Sequence, residues 1–509
     1  MAALLVFGLA AVFGLIITWT LRELAPRFGL LDSPDGRRKI HNRPIAVVGG
    51  VSLFLSALLA IIVSSLIDNE VARFTLETAN RALWMLIGAA AIVFVGMVDD
   101  KRNLRARHKL LGQTAAAAAL MFGGGYTIDA ISFFGIHVDL GYLAIPFTFL
   151  WFLSIMNAVN LLDGMDGMLG SVGLIIFGSL ALMATATGNG FAVVVAAAMA
   201  GGLAGFLRYN MPPASVYLGD CGSLLIGLVI AAVSIHASIK GPAFAVLVPV
   251  GLLVLPFMDT TAAILRRKLT GRGLAIADRG HLHHVLQKNG LTVRRTLAVV
   301  IGLGVLASVG AVSSTWMKND ILAIAMASGI VLMLVAAGLF GTAEVRLIRQ
   351  RAWSMLHSSY SQMEMEVRLQ GNADWADVWT QVTDKAEQLH LDSVLLDVNA
   401  PAWHEGYHRR WRRATAAGNE LTCWRVELPL FGHGQVIGRL SVSGTRDVDC
   451  IGDTLRELAT LVSHVEAVIA AVSAPAAQAR AAATANIRPA IASIPVEQMD
   501  TIHDLAAVR

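Results

Sequence analysis

The feature that most constrains this chain is a succession of about eleven apolar runs, near residues 3–21, 44–66, 82–98, 110–126, 140–159, 168–187, 190–207, 222–239, 242–265, 296–314 and 319–340. Each is long enough to cross the roughly 30 Å hydrocarbon of a bilayer as a helix. With 55% hydrophobic and only 15% charged residues among 509, most of the chain is excluded from the ordinary soluble class. An all-α polytopic membrane protein with about eleven transmembrane helices is expected. The first run has no basic segment before it and no small-residue cleavage site after it, so it reads as a retained helix.

Lysine and arginine fall asymmetrically between the runs. Arg22, Arg27, Arg37, Arg38, Lys39 and Arg43 share one loop, and Lys101, Arg102, Arg105, Arg107 and Lys109 another; eight more lie at 266–295. The alternate loops hold only Arg73, Arg81, Lys240 and Lys318. The positive-inside tendency places the first three loops in the cytoplasm, the N-terminus outside, and everything after Gly341 inside.

Four polar clusters map onto that same face: VDDKRNLRARHKLLGQ at 98–113, NAVNLLDGMDG at 157–167, YLGDCGSL at 217–224 and DRGHLHH at 278–284. Polar groups near hydrocarbon are costly and usually functional, and helix ends are where water and headgroups share the cost. Asp99 and Asp100 read either as caps of the next helix or as metal or proton-transfer groups. Carboxylates are unfavourable at the C-terminus of the helix they close, which favours the second reading. Glycines around Asp163 and Asp166 allow a tight turn, but Asn157 and Asn160 alongside them add hard oxygen donors of the kind Mg²⁺ takes. Asp220 opens a helix in a small-residue turn that suits an anion, with the carboxylate for its counter-cation. His281, His283 and His284 beside Arg279 also read as a zinc site, yet no Cys lies near and the surroundings are cationic, which favours phosphate and sugar hydroxyls.

The order of these motifs, DD with KLLGQ, then NxxNLLDGxDG, YLGDCGSL and DRGHLHH, closely resembles the polyprenyl-phosphate N-acetylhexosamine-1-phosphate transferases, over about 20–340. The stretch GLLDSPDGRRKIHNRPIAVVGG at 29–50 resembles that family's first cytoplasmic loop, and HLHH is similar to its UDP-N-acetylglucosamine branch. The resemblance implies transfer of a sugar 1-phosphate from a UDP-N-acetylhexosamine to undecaprenyl phosphate at the inner face of a bacterial plasma membrane, releasing UMP. It implies Mg²⁺, with Mn²⁺ as substitute, nearest Asp220 and Asn160. Asp99, Asp100, Asp163 and Asp166 are the expected catalytic carboxylates. Lys109, Asn157, Arg279, His281, His283 and His284 are expected to bind substrate. Membrane lipid and a second copy of the chain, as a homodimer, are the remaining partner expectations. A transporter with interfacial carboxylates and a membrane-anchored sensor are the rival classes.

Three domains follow: 1–342 in the membrane, 343–473 as a small cytoplasmic α+β domain, and 474–509 as a flexible Ala- and Pro-containing tail. Residues 344–371 read as an amphipathic helix, and 393–398, 422–431 and 435–444 as strands, the last two joined by a turn at 432–434. A helix near 452–473 completes a GAF-like order. The cluster WHEGYHRRWRR at 403–413 reads as a solvated loop or a contact for anionic headgroups. Nucleic acid is not an expected partner, because the net charge of +4 is accounted for by the membrane loops.

Overall fold

The structure is a computed structural model and describes residues 1–32, 44–134, 136–237, 239–240, 243–245, 247–269, 280–342, 344–345, 348–349, 365–370, 375–400, 405–413, 423–432, 435–445, 456–463 and 465–467. It divides into two units, Met1–Glu344 and Val345–Arg509.

The first unit runs through α1 (Ala2–Phe28), β1 (Leu31–Asp32), β2 (Ile45–Val47), α2 (Gly49–Ile67), α3 (Asn69–Glu77), α4 (Ala79–Arg102), α5 (Ala106–Ala118), β3 (Ala130–Phe133), β4 (Ile136–Asp139) and α6 (Ala144–Leu162). There follow α7 (Met168–Thr187), α8 (Gly190–Asn210), β5 (Val216–Tyr217), α9 (Gly219–Ala237), β6 (Ile239–Lys240), β7 (Ala243–Ala245), α10 (Leu247–Leu252), α11 (Val254–Leu269), α12 (Leu282–Lys288), α13 (Val293–Met317) and α14 (Asp320–Ala336). Among the described residues eight helices are long and apolar enough to cross a membrane: α1, α2, α4, α6 with the turn before it, α7, α8, α9 and α13. The other three apolar runs contain helix without making one long span, and 242–265 also contains β7. Run 110–126 is α5 continued by a π turn at Ala119–Gly123, and 319–340 yields the 17-residue α14. Run 242–265 breaks between α10 and α11, where Pro256 has no N–H to give the carbonyl of Leu252. The protein is therefore a multi-pass membrane protein, its outward helix faces carrying exposed Ile16, Phe94, Leu150 and Leu332.

One helix departs from that pattern. Every side chain of α9 from Cys221 to Ala237 is buried, among α2, α4, α6, α7 and α8. A helix apolar all round belongs in an interior. Small residues let backbones close up elsewhere, as where a Cβ on Gly14 of α1 would lie 2.7 Å from the Gly202 carbonyl oxygen of α8.

Two small sheets sort the helix ends. In one, β2 pairs antiparallel with β1 and parallel with β5, gathering the end of α1 and the starts of α2 and α9. In the other, ordered β4-β3-β7-β6, β3 pairs parallel with β7 and gathers the far end of α9 with the start of α6. Alternating chain direction then brings the end of α4, the end of α6, the start of α9 and the start of α12 to the first sheet's end. Near the close of this unit Arg266 of α11 and Glu344 form a buried ion pair.

The second unit holds β8 (Met365–Gln370), α15 (Ala376–Gln388), β9 (Ser393–Ala400), β10 (Glu405–Arg412), β11 (Cys423–Gly432) and β12 (Gln435–Thr445). They form a five-stranded antiparallel sheet ordered β11-β12-β9-β10-β8. Val394, Leu396, Val398, Tyr407, Leu440 and Val442 share one buried cluster with Trp375 and Trp379 of the α15 segment. The strands at 393–398, 422–431 and 435–444 are present with small shifts of boundary. Two expectations are corrected. Residues 365–370 are strand, not amphipathic helix: MEVRLQ alternates apolar and polar with period two and pairs with β10. Within 403–413, residues 405–412 are strand rather than loop, and β10 turns Tyr407 and Trp411 into the core. The expected helix at 452–473 is described only at 456–463 and 465–467, and the tail 474–509 lies outside the described residues.

Candidate active site

Six aspartates, Asp32, Asp99, Asp100, Asp163, Asp166 and Asp220, line one cavity of about 460 Å³ at the end of the bundle marked by the β1-β2-β5 sheet. Asn103, Asn160, Asn210 and Tyr217 complete its polar wall. Three of the separated motifs thus meet through the ends of α4, α6 and α9, and local chemistry explains how each arrives.

The last turn of α4 carries Lys101 and Arg102, which suit the negative end of a helix, and closes with Asn103 in the left-handed region at φ 48°. Asp99 Oδ1 accepts from the Leu104 N–H at 2.7 Å, and so braces the turn that follows. Its neighbour Asp100 reaches across the bundle instead. Asp100 Oδ1 accepts from the Asp220 N–H at 2.7 Å and Oδ2 from the Cys221 N–H at 3.1 Å, so both oxygens satisfy the first donors of α9. The approach depends on absent side chains: a Cβ on Gly219, whose φ is +73°, would lie 2.6 Å from Asp100 Oδ2, and one on Gly96 would lie 2.3 Å from the Cys221 Cα. Helix capping, the plainer reading of the aspartate pair, therefore holds for Asp100, but on a helix 120 residues away rather than the next one.

Asp220 is the hub of the charges. Its Oδ1 accepts from Lys109 Nζ at 2.7 Å and from Asn160 Nδ2 at 2.5 Å, and Lys109 Nζ also meets Asp99 Oδ2 at 2.9 Å. Asn160 donates a second hydrogen to Ser223 Oγ at 2.7 Å. Burial alone would lower the Lys109 pKa, but Asp220 and Asp99 together hold it above its ordinary value. Burial first, then the charges of Asp220, Asp100 and Asp166, push the Asp163 carboxyl up to about 7. Asp166 Oδ2 accepts from the Ala214 N–H at 2.9 Å, tying its loop to the segment before β5. Asn157 does not line the cavity; it exchanges hydrogen bonds with Gln113 of the KLLGQ motif and so joins α6 to α5.

The histidines lie behind this cavity. His281 Nδ1 is 3.0 Å from Asp259 Oδ2, and Asp259 Oδ1 accepts from the Leu282 N–H at 2.9 Å. His283 is stacked on His281, with centroids 6.2 Å apart, and is pressed against Gly164, where a Cβ would lie 2.5 Å from its Cε1. Both ring nitrogens of His283 are buried without a hydrogen bond among the described residues, and burial pushes its pKa down to about 4, keeping it neutral. The His284 ring centroid is 4.1 Å from that of His283. None of the three is among the residues that line the cavity, and Arg279 lies outside the described residues. Sequence reading missed Asp32 and Asp259. The first sits within the quoted 29–50 stretch; the second, a lone acid inside the apolar run 242–265, carried the signal of a buried charge.

The site fits a divalent cation. Carboxylates from two helices already share one ammonium, Lys109, where a small cation would sit, and Asp163 faces the same cavity. Among the described residues no three acidic, His or Cys side chains form a ready-made cage. A Mg²⁺ ion takes one or two protein oxygens and fills its shell with phosphates and water, so none is required.

Comparison with known proteins adds an independent line. A family model for glycosyl transferase family 4 matches residues 82–238. The chain is 30% identical over 301 residues to the probable undecaprenyl-phosphate N-acetylglucosaminyl 1-phosphate transferase of Bacillus subtilis, covering 58% of this chain and 81% of that one. It is 32% identical over 355 residues to the decaprenyl-phosphate N-acetylglucosaminephosphotransferase of Mycobacterium tuberculosis, covering 64% and 86%. With the undecaprenyl-phosphate alpha-N-acetylglucosaminyl 1-phosphate transferase of Yersinia pestis it shares 25% identity over 310 residues, covering 59% and 81%.

Proposed function

The chain belongs to glycosyl transferase family 4, and from that premise we propose that it transfers N-acetylglucosamine 1-phosphate from its UDP-sugar to undecaprenyl phosphate. UMP leaves, and the lipid diphosphate sugar that forms starts a cell-envelope polysaccharide. The observation that carries this reading is the meeting of three of the motifs, with Asp32 of the 29–50 stretch, in one carboxylate-lined cavity at the end of a membrane bundle, where a lipid phosphate and a soluble nucleotide can both arrive. We place that end, and the second unit, on the cytoplasmic side of a bacterial plasma membrane, as the loop charges require.

An oxygen of the lipid phosphate attacks the sugar-bearing phosphorus as the bond from that phosphorus to the UMP oxygen breaks. The second pKa of a phosphate monoester is about 6, so the acceptor is largely ionised at neutral pH and needs little from a base. Asp100 is accordingly assigned to positioning: it fixes the start of α9 and hence Asp220. Mg²⁺, or Mn²⁺ in its place, held by Asp220 with Asp163 and Asn160 beside it, would neutralise the diphosphate charge. Lys109, which stands beside the cavity on Asp99 and Asp220, is assigned to the acceptor phosphate. His281, fixed by Asp259, and His284 and Arg279 are assigned to the sugar diphosphate, whereas His283 forms the wall behind Gly164.

The test is UMP release by the purified chain. Release from UDP-N-acetylglucosamine that requires both undecaprenyl phosphate and Mg²⁺ is the expected result. No release with that donor, or with UDP-N-acetylgalactosamine, from folded protein overturns the reading.

A further inference from the structure

We propose that Lys109 is the resident counter-cation of the carboxylate site, bridging Asp99 and Asp220 until a divalent cation displaces it, and that only then does it turn to the acceptor phosphate. The proposal deepens the transferase reading and rests on it for the phosphate half alone.

Three observations carry it. Lys109 Nζ lies 2.9 Å from Asp99 Oδ2 and 2.7 Å from Asp220 Oδ1, so one ammonium joins the end of α4 to the start of α9. Asp220 Oδ1 also takes an amide hydrogen from Asn160, and both of its lone-pair directions are spent on internal donors. A metal ion that uses this oxygen must remove one of them, and one that uses Oδ2 still brings its charge next to the ammonium on the same carboxylate. The ammonium is the donor that has to leave, because two cations within bonding distance of one oxygen repel strongly at the low effective dielectric of a half-buried cavity. The third observation concerns reach. Lys109 stands in the first turn of α5 on a flexible four-carbon stem, and its side chain is 17% exposed, so the head group can swing into the cavity without moving the helix. A planar guanidinium at the same position could grip both carboxylates with several N–H groups and would leave less readily. Displacement also explains how six aspartates can share one cavity before substrate arrives: the lysine holds together the two that flank it.

The experiment titrates full-length protein with Mn²⁺, reading free Mn²⁺ by electron paramagnetic resonance, with neither nucleotide nor lipid present. Lys109→Met is expected to bind Mn²⁺ about tenfold more tightly than wild type, having lost its competitor. Lys109→Arg is expected to bind more weakly. In wild type, saturating Mn²⁺ should raise the reactivity of Lys109 towards an amine-acylating reagent, read by peptide mass spectrometry, a measurement that needs no variant to fold. Equal or weaker Mn²⁺ binding by folded Lys109→Met overturns the proposal, as does unchanged Lys109 labelling or the absence of Mn²⁺ binding to wild type at millimolar concentration. Since the Mn²⁺ titration and the labelling do not depend on UMP release, the two failures are distinct. Wild type that releases UMP without the Mn²⁺ exchange sinks this proposal alone, and exchange without UMP release from any UDP-sugar sinks the transferase alone.

Discussion

The carboxylate cluster and the histidine cluster are neighbours built on opposite principles. The carboxylates stand at the ends of α4 and α9 and in the loop after α6, and most of their oxygens are engaged by donors from other elements: Asp100 by the start of α9, Asp99 and Asp220 by Lys109, Asp166 by the Ala214 N–H. The histidines stand behind the cavity, and the one between the other two, His283, is buried with no hydrogen-bond partner at either nitrogen among the described residues. The difference teaches that sequence proximity of polar residues says little about which of them meets a ligand. Charge that faces a cavity has to be balanced, whereas a neutral imidazole can be used as a flat packing surface.

The comparison breaks most visibly at Asp220. Asp220→Asn removes the charge on which Lys109 and Asn160 converge, and UMP release should fall at least about a hundredfold with the thermal midpoint little changed. Activity within a few-fold of wild type would move the centre of the site elsewhere. Asp100→Asn separates positioning from proton transfer. It should lower stability by about 1–3 kcal/mol in detergent melts, since an amide cannot accept from both α9 donors with the same face. Lost activity at unchanged stability would restore Asp100 to the chemistry.

A smaller effect tests the balance of charge through pH. Burial and neighbouring carboxylates push Asp163 up to about 7, so between roughly pH 4 and 7 the folded protein keeps a proton that the unfolded chain has released. Stability in the absence of divalent cations is therefore greatest below that window and falls as pH rises through it. Asp163→Asn should flatten the fall, and so should millimolar Mg²⁺; melting temperatures recorded against pH for both proteins decide it. The smallest effect belongs to the wall. His283→Leu removes two unbonded polar atoms from a buried, Gly164-backed position, so stability should hold or rise by about 1 kcal/mol while UMP release stays within a few-fold. A hundredfold loss would show that His283 touches substrate after all.

Much of this was legible beforehand, for identifiable reasons. Eight of the eleven apolar runs form helices long and apolar enough to cross a bilayer, because length and composition are local properties; runs 110–126, 242–265 and 319–340 contain shorter helices. Period-two alternation marked β11 and β12, and the same pattern in MEVRLQ would have marked β8 had the helix reading not been carried through it. Among the site residues, Asp99, Asp163, Asp166, Asp220 and Asn160 all line one cavity. Asn157 and the three histidines were grouped with them by chemistry and do not line that cavity: Asn157 bonds Gln113, and the histidines stand behind it.

What the sequence determined by itself, then, is that apolar runs of membrane length end in four polar motifs on a single face, because helix length and hydropathy are local properties. Which carboxylate does what was decided only by the tertiary structure. Asp99 and Asp100 are adjacent in the chain, but successive residues on a helix point about 100° apart, and Asp100 meets α9 only because Gly96 and Gly219 let two backbones close up across 120 residues of sequence. Pairing of that kind depends on which helices can touch, and no window of the sequence contains it.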